Sequence, residues 1–387
     1  MIYIVVFFIS YLCAYAAETT NSSFALRYSK VSMNESSHHK IIGYDTIFFV
    51  MSLIGPIILG WTRDGSVGTD NARYIICFRY IHNISNINDL WGYSTLDVGY
   101  KLLMYLTSRI TDNYNTFCLI TTFLTVVPMA LSLWKLRDKL SYSLGYLMFL
   151  LVFYCSMFNL VRQGVSLSLC TLAMVFLFEK KYPVYFALVI IASLIHSTSI
   201  VFIIVFILER ILKDGKKFYF KVFIVSLIAV ISMIYWRRII LLLTSHGLLL
   251  SRYEAYSEIQ SRGIFNYFYM IFYFPFPMIS AIYYLENKNK HYSNEYSIMA
   301  ASSIIGYIFL MFSFVFDPMA RIGSFFLYPG ILCISYAVKN ANANSRKILV
   351  PLIIIYSIVF WYFFTVMNRY GYHSPVYPFK FSGDVFK

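Results

Sequence analysis

Asn159, Arg162, Gln163 and Ser166 stand inside an otherwise apolar run from Tyr142 to Phe178. An arginine in the middle of a hydrocarbon layer costs from about 3 to more than 10 kcal/mol, so its presence there asks for a reason. The spacing i, i+3, i+4, i+7 puts all four on one face of a helix that continues through the stretch. That face offers a forked guanidinium and two amides, groups suited to gripping an oxyanion. The plainer alternative is that Arg162 snorkels to the headgroups while the amides satisfy neighbouring helix ends. Snorkelling requires neither Asn159 nor Gln163.

Three further stretches carry polar chemistry. In GWTRDGSVGTDNARYIICF, residues 60 to 78, Gly65 and Gly68 permit tight turns whose bunched amides can cradle anions, beside Arg63 and Asp64. No Gly-Lys-Ser/Thr follows, so this is not a Walker loop. Thr69 or Asp70 is placed to cap a helix from about Asn71, whose Tyr74, Ile75, Phe78 and Ile81 share a face suited to lying on a membrane surface. In FDPMARIGSFF, residues 316 to 326, Asp317 precedes Pro318 as an N-cap precedes a first-turn proline, with Arg321 four residues on. Either Asp317 and Arg321 form an i,i+4 pair, or a cation and a helix N-terminus together attract a phosphate. His196 sits with Ser197, Thr198 and Ser199 in an apolar segment, open to a structural, a proton-transfer or a sugar-binding role. Arg252, Tyr253 and Arg262 fall in the segment 237–265, either a lid or a solvated loop.

The elements that must position these residues are membrane helices. Of 387 residues 59% are hydrophobic and 13% charged, with a mean hydropathy of +0.65, and apolar segments recur throughout. Spans are predicted at about 1–17, 43–60, 115–134, 142–159, 162–178, 183–208, 219–236, 266–284, 297–316, 319–337 and 348–367. The net charge of +14 lies in small groups between these spans and not on an aromatic-interleaved polar surface, so it reads as topology and not as nucleic-acid binding. The six cysteines follow no metal-ligand spacing and read as core-filling thiols; neither a metal-binding carboxylate pair nor a cofactor motif is present. The opening MIYIVVFFISYLCAYAAE ends in a signal-peptide-like Ala14-Tyr15-Ala16 but lacks a basic n-region; it reads as a retained helix with its N-terminus outside, a cleaved signal peptide being the alternative.

The basic connections 134–140, 178–182, 209–217, 287–290 and 344–347 belong in the cytoplasm by the positive-inside rule. The connections 178–182 and 209–217 both want that side, although a single apolar stretch joins them. Residues 183–208 are therefore expected to form a broken, re-entrant hairpin with His196 at its tip; one long tilted span is the alternative. The expected architecture is an all-α polytopic integral membrane protein. It comprises one membrane domain over 1–387, about 10–12 transmembrane helices, an external loop at 61–114 and a second external segment at 237–265. The polar motifs then gather on the external side, with Arg162 at an external bend.

The order of these motifs, R-D-G-S-V-G-T-D at 63–70, L-D-V-G-Y-K-L-L at 96–103, F-N-L-V-R-Q-G-V at 158–165, L-I-H-S-T-S at 194–199 and D-P-M-A-R at 317–321, resembles the EpsG family of Wzy-like polysaccharide polymerases over residues 40 to about 330. Where the family pattern has glutamate before Gly-Tyr this chain has Asp97-Val98, a departure that speaks against carrying a catalytic role onto Asp97. The resemblance implies a bacterial multi-pass enzyme of the cytoplasmic membrane. It would join oligosaccharide repeat units outside that membrane from undecaprenyl-pyrophosphate-linked donors, alongside a flippase and a chain-length regulator of the same pathway. On this reading Asp70 and His196 are the candidate catalytic residues. Arg63, Asp64, Gly68, Asn159, Arg162, Gln163, Arg262, Asp317 and Arg321 are the candidate pyrophosphate- and substrate-binding residues, and the transfer is expected to be metal-independent. A lipid-linked-oligosaccharide flippase would line its arginines along a central path. A membrane acyltransferase would hold its histidine and arginine on the cytoplasmic side.

Overall fold

The computed structural model describes residues 1–31, 43–92, 96–212, 218–235, 265–286, 294–314, 318–367 and 376–383, with four isolated positions between 238 and 245. Its elements are helices: α1 (Ile2–Val31), α2 (Tyr44–Thr62), α3 (Asn71–His82), α4 (Ile87–Gly92), α5 (Val98–Ile110), α6 (Tyr114–Lys135), α7 (Tyr142–Met148), α8 (Val161–Phe178), α9 (Tyr182–Ile195), α10 (Ile203–Leu212), α11 (Phe218–Ile234), α12 (Phe265–Tyr273), α13 (Pro275–Glu286), α14 (Asn294–Phe312), α15 (Pro318–Leu327), α16 (Gly330–Asn340) and α17 (Ala343–Trp361). Seven segments among the described residues are long and apolar enough to cross a bilayer: 2–20, 44–62, 114–135, 161–178, 294–312, 318–340 and 343–367. Shorter apolar helices cover 142–158, 182–195, 218–228 and 267–283. The protein is thus an all-α, multi-pass membrane protein.

Helix α8 is the centre of the bundle. It is 83% buried, against 28% for the spans at either end of the chain, and it packs on α6 and α9. Its small and polar side chains explain this: Gly164, Ser166, Ser168, Cys170, Thr171 and Ala173 let neighbours approach closely, and Thr171 returns its hydroxyl to the Leu167 carbonyl. The outer helices instead show large apolar side chains outward, among them Ile4, Phe8 and Leu12 of α1 and Ile348, Leu352 and Ile355 of α17. Lipid covers such faces at no cost.

The bundle has a basic end and a polar-motif end. At the basic end Lys135 and Lys181 pair with Glu179, Lys139 with Glu295, and Lys180 with Glu209. Glu18 of α1 closes the same end, accepting from the backbone N–H of Ser143 (2.9 Å) and the hydroxyls of Ser141 and Ser143 at the start of α7. The beginning of α1 lies at the opposite end, where the Tyr3 hydroxyl donates to the Val376 carbonyl (2.8 Å). Residues 379–383 return over that end and pair with the close of α2: Ser382 N–H donates to the Thr62 carbonyl (2.8 Å), and Asp64 N–H donates to the Lys380 carbonyl (2.9 Å).

The apolar stretch 183–208 is a hairpin. Its two arms, α9 and α10, are separated by extended backbone at His196 and a 3₁₀ segment at Ser197–Phe202. They lie side by side, because the Tyr185 hydroxyl donates to the Phe202 carbonyl (2.5 Å), and Phe206 meets Tyr182, Tyr185 and Phe186. The bases meet as well, through Lys180 with Glu209 and Arg210 stacked over Tyr182. Fourteen residues of helix reach about 21 Å, short of a roughly 30 Å core. The hairpin therefore enters and leaves on one side. Reporter fusions after Lys181 and after Lys217 are expected to report the same cytoplasmic location; opposite locations would show a crossing.

The helix carrying the opening motif does not run through. After α7 it widens into a π segment (Phe149–Tyr154), tightens into a 3₁₀ turn (Cys155–Phe158), and breaks at Asn159–Leu160 before α8. Such irregular backbone costs helical hydrogen bonds and is most often kept at functional sites. Arg162 is thereby placed in the first turn of α8.

Candidate active site

The break sends the four polar residues of the opening motif to four different partners, so they form no single stripe. Asn159 Oδ1 accepts from the Thr69 N–H (2.7 Å) and hydroxyl (3.3 Å). Gln163 Nε2 donates to the Arg321 carbonyl (3.0 Å) and the Ser324 hydroxyl (2.6 Å), tying α8 to α15. Ser166 donates to the Ala192 carbonyl (2.9 Å), tying α8 to the hairpin. Arg162 is left to meet the loop helices.

Arg162 is clamped from two sides. Its Nη1 donates to Asp97 Oδ2 (2.8 Å) and its Nε to the Tyr74 hydroxyl (3.1 Å), and its guanidinium lies 5.9 Å from the ring centres of Tyr74 and Tyr100. Asp97 is the N-cap of α5, its side chain 7% exposed. Tyr74 comes from α3, whose face of Tyr74, Cys77, Phe78 and Ile81 is buried against protein, with Phe78 against Tyr114 and Phe117. That face packs on the bundle and not on a membrane surface, because α5 and α6 supply a closer apolar neighbour. Burial raises the Tyr74 and Tyr100 hydroxyls above their usual range, and both remain protonated. The Nη2 group of Arg162 keeps no hydrogen-bond partner among the described residues, and the side chain is 19% exposed. A positioned cation with a spare donor edge results.

His196, at the hairpin tip, faces the same carboxylate. Its Nδ1 lies 3.9 Å from Asp97 Oδ2, beyond hydrogen-bond reach, and its ring stacks on Phe325 of α15 (centroids 6.2 Å, planes 17° apart). Among the described residues neither ring nitrogen has a hydrogen-bond partner, although the residue is 8% exposed. The Tyr100 hydroxyl, Gln163 Oε1 and the Thr198 hydroxyl are likewise buried without partners. Buried polar groups are nearly always satisfied, so these groups leave hydrogen-bonding capacity where α5, α8 and the hairpin meet. The hairpin tip comes this close because residue 99 is glycine: a Cβ there would fall 2.8 Å from the backbone of Leu194.

The loop 63–70 is shaped by its own polar groups. Asp64 Oδ1 accepts from the Ser66 N–H (2.9 Å) and hydroxyl (2.7 Å), bonds that lower its carboxyl below the usual range. Gly68 has φ +100°, and a Cβ there would stand 2.4 Å from the Phe158 carbonyl oxygen, so the loop can lie on the helix break only with glycine. Arg63 turns inward, 2% exposed, over the Phe158 ring at 4.7 Å, and does not join Arg162. Asp70 begins α3 without a side-chain capping bond and makes no ion pair with Arg162 or His196. Arg321 presents its carbonyl to Gln163, and its exposed side chain lies within electrostatic range of His196. Arg262 and Asp317, with Arg252 and Tyr253, lie outside the described residues. Among the described residues no group of three or more His, Cys, Asp or Glu gathers as a metal site would.

Sequence reasoning set Asp97 aside as a departure from the family pattern, placed Tyr74 only on a helix face suited to a membrane surface, and did not single out Tyr100. The one signal for Asp97 was its place as an acid before Val98-Gly99-Tyr100, a capping position that Asp occupies in many proteins for stability alone.

The sequence model of the EpsG family matches residues 45–381, most of the chain, including every residue of the cluster just described. No curated protein and no solved structure matches. The chain belongs to the EpsG family, a family of Wzy-like polymerases.

Proposed function

We propose that this protein is a polysaccharide polymerase that transfers a growing glycan from a polyprenyl (undecaprenyl) pyrophosphate carrier to the hydroxyl of a lipid-linked repeat unit. Family membership supports the coarse reading, a membrane protein of polysaccharide biosynthesis. One observation carries the finer one: a single carboxylate oxygen, Asp97 Oδ2, stands between a guanidinium with a spare edge and an imidazole with two vacant nitrogens.

Transfer needs two things from the protein. The departing pyrophosphate develops charge as the bond from the anomeric carbon to phosphate oxygen breaks, and Arg162 Nη2, supported by the Arg321 side chain, is placed to receive that charge. The attacking hydroxyl must lose its proton as its oxygen bonds that carbon. His196 takes the proton on one ring nitrogen, while Asp97 orients the ring and stabilises the imidazolium. The 3.9 Å separation closes to a hydrogen bond when substrate is bound. The site lies at the end opposite the basic connections, and the positive-inside rule applied to those connections supports an external site at the cytoplasmic membrane.

Deleting the gene and analysing lipid-linked and surface glycans tests this reading. Single repeat units are expected to accumulate on the carrier in the outer leaflet. Accumulation confined to the inner leaflet would instead identify a flippase, and an unchanged surface polymer would remove the protein from the pathway.

A further inference from the structure

Arg63 is a buried cation with no counterion among the described residues. Its side chain leaves the end of α2, turns between α6 and the helix break, and is 2% exposed; Nε and Nη2 have no hydrogen-bond partner. No described carboxylate lies within ion-pair distance: Asp64 is engaged by Ser66, and Asp97 by Arg162. A guanidinium does not shed its proton in a protein, so the charge stays. The π face of Phe158 and the closing carbonyls of α2 offset part of it, and the neighbouring Cys118 thiol is at best a weak acceptor. Two N–H groups remain aimed into apolar surroundings, a costly arrangement unless something occupies the space before them.

That space exists. About 220 Å³, its mouth included, opens beside Arg63 against Thr121, Thr122, Thr125, Tyr154, Met157 and Val161. The hydroxyls of Thr121, Thr125 and Tyr154 are spent on the carbonyls of Phe117, Thr121 and Pro56, whereas Thr122 keeps a hydroxyl with no hydrogen-bond partner among the described residues. The space is too narrow for a phosphate and takes a single small occupant at most. A water would satisfy an N–H and leave the charge uncompensated.

We infer that Arg63 and Thr122 form a buried site for a monatomic anion of the halide class, with chloride as its ordinary occupant. The anion neutralises the guanidinium between α2, α6 and the break, directly beneath the 63–70 loop that docks on Asn159. This site is separate from the Arg162 cluster and stands whether or not the polymerase reading holds.

The test uses the full-length protein in detergent, exchanged into isethionate salts and titrated with sodium chloride or bromide at fixed ionic strength. Thermal unfolding is expected to move up by about 2 °C and to saturate, as binding to the native state alone requires. Arg63→Met should lose that response. Should this variant fail to fold, the wild-type protein decides the matter: a bromide-soaked crystal is expected to show one anomalous peak within hydrogen-bond distance of Arg63 Nε or Nη2. A melting temperature indifferent to halide in the wild type, a halide response that survives Arg63→Met, or no bromide peak at Arg63 would each overturn the site and leave a water in its place.

Discussion

Arg162→Ala is expected to abolish polymer synthesis while the protein still reaches the membrane at close to its normal abundance. The guanidinium is held by Tyr74 through Nε and by Asp97 through Nη1, which aims its remaining edge at a fixed place. Removing a single preorganised donor from a developing oxyanion typically costs about 10² to 10³ in turnover, and here the donor is also a full charge in a sparsely hydrated site. The variant strands Asp97 as well, but Asp97 lies at the end of the bundle opposite the basic connections and caps α5 through its backbone carbonyl, which accepts from Lys101 N–H (3.0 Å). Insertion and bundle packing rest on the spans, which Arg162 does not hold together. Arg162→Lys should be impaired too, since one ammonium cannot reach Tyr74, Asp97 and a phosphate oxygen in the same geometry. Full-length polymer from the alanine variant would show that Arg162 serves only to neutralise Asp97, and the pyrophosphate role would fall.

The spans and the hairpin were legible in the sequence because each follows from a local property. Twenty apolar residues make a span wherever they occur, and two basic connections flanking one apolar stretch admit few solutions, of which the paired arms at Tyr185 and Phe202 are one. The site was legible in its cations and not in its geometry. Arg162 was conspicuous by cost, yet its partner Asp97 lies 65 positions away in another element, and nothing local distinguishes that carboxylate from an ordinary N-cap. Arg63 illustrates the converse. Its neighbours Asp64, Gly65 and Gly68 suggested an exposed anion loop, whereas the backbone pairing of Asp64 with Lys380 and of Thr62 with Ser382 fixes the turn so that the arginine enters the bundle. The helical stripe at Asn159, Arg162, Gln163 and Ser166 presumed a continuous helix. The break at Asn159–Leu160 changes the direction of every side chain before it, and periodicity cannot register a break that its own residues bring about through contacts with a distant loop.

His196→Ala and Asp97→Asn should lower turnover by about 10² to 10⁴ with little change in donor affinity, because general-base assistance strengthens only as the hydroxyl attacks. The two variants are expected to be far from additive. If Asp97 acts by orienting the His196 ring, removing the imidazole already removes what Asp97 contributes to proton transfer, and the double variant should resemble His196→Ala. Asp97→Asn carries a further signature, since Asn still caps α5 and the helix should persist while Arg162 loses its ion pair. Asp70→Asn is the contrasting variant. Asp70 opens α3 with no side-chain bond to its helix and no ion pair to the cluster, and Asn serves at that position as well as Asp, so its activity should stay near that of the wild type. The measurement is polymer formation by purified proteins given lipid-linked repeat units, with donor binding followed separately. A large loss at Asp70 with near-normal rates at His196 would move the base to the start of α3. Near-normal rates at all three would leave catalysis to the arginines, which would then have to supply the whole effect through positioning and charge.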